Sequence, residues 1–96
     1  MQFVVIAHDV KDEGALERRL SVRKSHLEFA SKMFDSGKWL FASALLDDEG
    51  KMNGSVIVCE FLSEKELREE WLDKEAYVLG KVWEKITIRK AKVAKH

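Results

Sequence analysis

Neither sign of charge is in excess in this chain: 17 Lys and Arg balance 17 Asp and Glu over 96 residues, a formal net charge of zero. A nucleic-acid binder normally gathers a basic excess on one face, and a protein held to an anionic membrane by charge needs the same, so no nucleic acid and no membrane is expected as partner. No apolar run approaches the roughly 20 residues of a membrane span, and Met1-Gln2-Phe3 lacks the basic start of a signal peptide. The single cysteine, Cys59, has no intramolecular partner for a disulfide, which fits a cytoplasmic location. Set in Val56-Ile57-Val58-Cys59, it reads as a small buried hydrophobe, because a reactive thiolate wants an electropositive, accessible setting. The five glycines are scattered, and none forms the glycine-rich cradle of a phosphate site. Ser21, Ser25 and Ser55 lack the strand-turn-helix context of a hydrolase nucleophile. His8, Asp9 and His26 are of metal-binding types, but no ligand-spacing motif joins them, so neither metal nor cofactor is expected.

What is present is 46% hydrophobic residues, enough for one core and therefore one domain over residues 1–96. Phe3 to Ala7 reads as a first strand ending at His8-Asp9; alternation sets Asp9 in the row of Phe3, Val5 and Ala7, and His8 in that of Val4 and Ile6. A long helix over about 15–36 follows, closed by Ser36-Gly37. Trp39 to Leu46 and Ser55 to Phe61 form a hairpin around the polar loop from Asp47 to Gly54. Ser63-Glu64-Lys65-Glu66 has the spacing of a capping box and starts a second helix, which buries Leu67, Trp71 and Leu72. The last strand spans about 81–89, with Val82, Ile86 and Ile88 on one side and Trp83, Lys85, Thr87 and Arg89 on the other. Residues 91–96 read as a basic, flexible tail.

The order βαββαβ is the ferredoxin-like arrangement, an α+β fold with two helices on one face of a four-stranded antiparallel sheet. Strands one to three are apolar on both faces, so the second face needs a cover. A second copy is the economical one, giving a homodimeric α+β barrel, with Trp83 either an interface aromatic or a core aromatic. On the long helix, Leu16, Leu20, Leu27, Ala30 and Phe34 form the stripe expected to lie on the sheet. Beside it Arg19, Val22, Arg23 and His26 share a face. That patch is either a solvated charged surface with a boundary histidine or the wall of a site. Asp9 leaves the first strand just before this helix; if the two meet, its carboxylate holds one imidazole nitrogen and frees the other for proton transfer.

The segment Arg19-Leu20-Ser21-Val22-Arg23-x-x-His26-Leu27, with an Asp closing the preceding strand, resembles the YciI-like (YCII-related) family. Gly54-Ser55, Glu60-Phe61, the helix of Trp71, and Tyr77-Val78 followed by Gly80-Lys81-Val82-Trp83-Glu84 extend the resemblance over nearly the whole chain. It implies a ferredoxin-like homodimer of the dimeric α+β barrel class with a His-Asp general acid/base dyad. His26 and Asp9 would be its catalytic residues. Arg19 and Arg23 would either support the site structurally or hold an anionic small-molecule substrate, Arg23 being the first choice for the anion and Arg19 the second, and Ser55 would add a hydroxyl. The implied activity is that of a lyase, dehydrochlorinase-like, or an isomerase acting on a small cyclic or aromatic compound. The alternative is a non-catalytic homodimeric module that binds a small ligand. The chain departs from the family pattern where Asp-Pro often precedes the tyrosine: here Glu75-Ala76 precedes Tyr77, and there is no proline anywhere. The loop from Asp47 to Asn53 is also shorter than is common.

Overall fold

Alternation along the first strand sets the architecture. In β1 (Gln2–Asp9) the side chains of Phe3, Val5, Ala7 and Asp9 are buried, Val4 and Ile6 are half-buried, and His8 is exposed. Helices therefore cover only one of its faces. The computed structural model describes residues 1–94. After β1 come α1 (Ala15–Asp35), β2 (Trp39–Leu46), β3 (Met52–Glu60), α2 (Glu64–Glu70), a 3₁₀ turn (Leu72–Lys74), α3 (Ala76–Leu79) and β4 (Trp83–Ala91). The strands pair antiparallel in the order β2-β3-β1-β4, the ferredoxin-like sheet. No helix among the described residues is long and apolar enough to cross a membrane.

The second crossover is three short pieces rather than one helix. Ser63 caps α2, its hydroxyl accepting the Glu66 N–H at 3.1 Å, and the Glu75 carboxylate caps α3 by accepting from the Tyr77 N–H. Leu67, Trp71 and Leu72 are buried as their spacing predicts. Cys59 is a free thiol inside the core, and burial pushes it up to about 12.

Two expectations fail. The first is the orientation of α1: Leu20 is 51% exposed, Leu27 46% and Phe34 43%, while Arg19, His26, Ala30 and Met33 are buried. The helix is turned so that an arginine and a histidine occupy sheet-facing positions. The second is the strand face given to Trp83: it is 6% exposed and lies in the core, the other of its two readings, on the side of Ile86 and Ile88. The β1–β4 register slips between His8 and Asp9, pairing His8 with Lys85 but Asp9 with Trp83. The bulge adds one residue to β4, so Trp83 falls on the same face as Ile86 and Ile88.

The other face of the sheet has no cover from the described residues. Val4, Ile6, Val56 and Val58 lie there half-buried, beside Phe41 at 60% exposure. The tail predicted at 91–96 begins inside β4, where Ala91 pairs with Gln2. Val93 donates its N–H to the Gln2 side chain at 2.7 Å, and Lys95 and His96 lie outside the described residues. Gly54 has a steric reason, since a Cβ at this position would come within 2.6 Å of the Ala7 carbonyl oxygen. β1 and β3 thus approach closely where Ser55 enters the site.

Candidate active site

Among the described residues the buried polar or charged ones are Asp9, Arg19, His26, Ser55 and Glu75, and all five belong to two linked clusters under α1. In the first, Arg19 Nη1 donates to both Asp9 carboxylate oxygens, at 2.9 and 3.2 Å, and Nη2 donates to Ser55 Oγ at 2.8 Å. Because Ser55 accepts there, its own hydroxyl proton is free to point elsewhere. Burial pushes the Asp9 carboxyl up from its ordinary value, and the Arg19 guanidinium pulls it part of the way back. Arg19 Nε is sealed without a hydrogen-bond partner among the described residues. The guanidinium carbon lies 4.6 Å from the centroid of the Tyr77 ring, in cation–π range.

In the second cluster His26 Nδ1 lies 2.7 Å from Glu75 Oε1. The same carboxylate accepts from Trp71 Nε1 at 2.7 Å and from the Tyr77 N–H at 3.2 Å. An indole and a backbone amide can only donate, so the carboxylate is arranged as an acceptor, and the matching tautomer carries its proton on Nδ1. His26 Nε2 has no protein partner among the described residues. The imidazole stacks on Tyr77, with centroids 3.9 Å apart and planes 15° from parallel, and Trp39 and Trp83 lie 5.9 and 6.3 Å away. Burial raises the Tyr77 hydroxyl above its usual range, while Arg19 and Arg23 lower it in part.

The clusters meet at a cleft of about 230 Å³ between α1 and the β2–β3 hairpin, lined by Arg19, Arg23, His26, Leu27, Ala42, Ser43, Ala44, Met52, Ser55, Ile57 and Tyr77. A larger depression of about 660 Å³ lies on the outer side of α1, but all six of its lining residues belong to that one helix. Nothing converges there from a second element, as a binding site requires. The Arg19, Arg23, His26 and Ser55 of the sequence reading therefore share one cleft, and Asp9 stands behind it. Arg18 turns away to Asp12 at 2.8 Å, and that hydrogen bond holds the Asp12 carboxyl below its usual range.

The Asp9–His26 hydrogen bond predicted from the sequence is not formed, since each residue has another partner. Arg19 and His26 are two helical turns apart, about 10 Å along the axis. Asp9, at the end of β1, is engaged by the first, and Glu75, at the start of α3, by the second. Glu75 and Tyr77 are the site residues that sequence reasoning missed. The signal was the departure from the Asp-Pro pattern, where the acidic residue is retained as Glu75 and only the proline is lost. His8 points to the opposite face from Asp9 and His26. Among the described residues no three His, Cys, Asp or Glu side chains come together as metal ligands would.

Among proteins of known structure, the fold is similar to a 5-chloro-2-hydroxyhydroquinone dehydrochlorinase from Burkholderia phenoliruptrix, solved with 2,5-dihydroxybenzoquinone; the TM-score is 0.82 at 18% identity, over 98% of this chain and 96% of that one. A dimeric ferredoxin-like protein from an uncultured marine organism is similar with a TM-score of 0.52 at 15% identity, over 100% and 97% of the two chains. The YciI proteins of Escherichia coli and Shigella flexneri are each 34% identical over 95 residues, spanning 93% of this chain and 94% of theirs. The sequence model of the YCII-related domain matches residues 1–92. A match over nearly the full length, to the family model and to relatives 34% identical, establishes that the chain belongs to the YciI-like, YCII-related family.

Proposed function

We propose that the protein is a small-molecule enzyme in which His26 is the general acid/base, held by Glu75, and that it works as a dehydrochlorinase-like lyase or an isomerase on a small cyclic or aromatic compound. The observation that carries this is the His26 ring itself: Nδ1 is fixed on a carboxylate that is 0% exposed, and Nε2, on a residue lining the cleft, has no partner among the described residues. In the forward step Nε2 takes a proton from a ring hydroxyl or an activated ring carbon, leaving the electron pair on the substrate. The pair then either forms a new double bond as a halide leaves with its own bonding pair, or shifts so that the imidazolium returns the proton at a neighbouring atom. Glu75 faces the imidazolium and stabilises it. Asp9 acts at one remove, by fixing Arg19, which in turn orients the Ser55 hydroxyl.

The likeness to a dehydrochlorinase structure supports the reaction class. The uncovered apolar face of the sheet supports a homodimer, and the single, buried free thiol suits a cytoplasmic setting. The test is chloride release from 5-chloro-2-hydroxyhydroquinone, together with exchange of the ring protons of 2,5-dihydroxybenzoquinone into heavy water. His26→Gln should lose at least about a hundredfold in either reaction while keeping the wild-type circular dichroism spectrum. A folded His26→Gln variant with wild-type turnover would sink the assignment. Binding of these compounds with no turnover by the wild type would favour the non-catalytic module.

A further inference from the structure

The charges around the cleft specify its ligand more narrowly than the proton-transfer reading does. Arg19 is cancelled by Asp9 at 2.9 Å and has given its remaining Nη to Ser55. Among the described residues Glu75 makes no ion pair with a lysine or arginine and is answered by His26, Trp71 and the Tyr77 amide. Arg23, on the same wall, is exposed and makes no hydrogen bond or ion pair among the described residues. Of the two guanidinium groups that line the cleft, only Arg23 is left without a partner among the described residues, so one negative charge of a ligand can be paired and a second has no cation left to meet.

Size and polarity narrow it further. At about 230 Å³ the cleft is smaller than the roughly 300 Å³ at which pockets for drug-sized ligands begin. Ala42 and Ala44 face α1 from β2 in register with Ile57 and Ser55, and their short side chains are what leaves the gap open. Arg23 and His26 are three residues apart on α1, so their Cβ atoms lie roughly 5–6 Å from each other. That is roughly the width of a six-membered ring.

We propose that the cleft binds a single-ring monoanion, its acidic group on Arg23, its apolar body against Ala42, Ala44 and Ile57, and its reacting atom toward His26. This rests on the cleft being the working site of the proposed enzyme, but it concerns binding, which can be read without turnover. Benzoate is the probe, with benzamide as its neutral isostere and terephthalate as the dianion, each titrated by isothermal calorimetry into the full chain. Benzoate should bind at least about tenfold tighter than either, the margin of one unshared charge-assisted contact. Arg23→Gln should erase that preference, Arg23→Lys should keep part of it, and Ala44→Leu should weaken all three ligands by filling the gap. His26→Gln should still bind benzoate, so a failed catalytic reading leaves this result standing. Equal binding of benzoate and benzamide, a preference unchanged in Arg23→Gln, or no benzoate binding at millimolar concentration would each overturn the proposal.

Discussion

Glu75→Gln is the sharpest perturbation the site offers, because it keeps the shape of the side chain and changes only what its two ends can accept. The carboxylate takes His26 Nδ1 and the Tyr77 N–H on Oε1 and Trp71 Nε1 on Oε2. An amide has one accepting end. If its oxygen stays toward His26 and Tyr77, the indole N–H meets an NH₂ group and has no acceptor. If the amide flips, the indole is served, but the Tyr77 N–H is orphaned and His26 must accept at Nδ1, moving its proton to Nε2. Either way at least one buried donor is stranded, at a cost of about 1–3 kcal/mol. For a chain of 96 residues a loss of about 2 kcal/mol lowers Tm by on the order of 10 °C. Thermal and urea unfolding measure the cost, and long-range proton–nitrogen NMR of the imidazole reads the tautomer. Glu64→Gln, which breaks the exposed pair with Arg68, is the control and should cost less than about 1 kcal/mol. A Glu75→Gln protein as stable as that control, with the proton still on Nδ1, would refute the assignment of Glu75 as the group that holds His26.

Two further outcomes follow from parts of the fold outside the cleft. The open face spans four strands and, with β1 eight residues long, covers roughly 500 Å² in projection at ordinary strand spacing and rise, before side-chain relief is counted. That approaches the ~800 Å² of accessible surface each partner contributes to a standard interface. Light scattering at micromolar concentration should give twice the 11.1 kDa chain mass and fall to the chain mass in Phe41→Asp; a monomeric wild type would contradict the covered-face argument. Cys59 supplies a pH dependence. Its thiol is pushed from an ordinary 9.0 up to about 12 by burial, so above pH 9 the unfolded chain releases a proton that the native state retains. Stability should therefore fall as pH rises from about 9 toward 12. Cys59→Ala should flatten that part of the urea-midpoint profile, and superimposable profiles would show that the thiol does not contribute.

The fold was legible because its signals are local and redundant. Period-two alternation in Phe3 to Asp9, the Ser63 cap and the Ser36-Gly37 stop each mark an element independently, and the βαββαβ order then leaves few topologies. Trp83 was misread because alternation counts residues and cannot see a bulge, which adds one. The face of α1 was misread for a related reason. Hydrophobic periodicity assigns the core to the leucines, and it has no way to register that Asp9 and Glu75, 10 and 49 residues away from their partners along the chain, make it acceptable to bury Arg19 and His26. The four cleft residues Arg19, Arg23, His26 and Ser55 were legible because they lie in the segments that carry the family resemblance. The partner of His26 was not, because it comes from another element and appears in the sequence only as an altered motif.

The burial of Arg19 and His26 is itself an argument for function. Turning α1 so that Leu20 and Leu27 faced the sheet would bury two large apolar side chains now about half exposed, each worth about 1.5–3 kcal/mol when fully buried. The observed packing gives up part of that stabilisation. It also takes two carboxylates and a guanidinium out of water, which buried ion pairs rarely repay against well-packed hydrophobic residues of the same size. Stability alone would select the other rotation. What the observed rotation provides, among the described residues, is one free imidazole nitrogen, one unopposed guanidinium and one released hydroxyl converging on a cleft, and that exchange of stability for placed polar groups supports the proposal of a working site there.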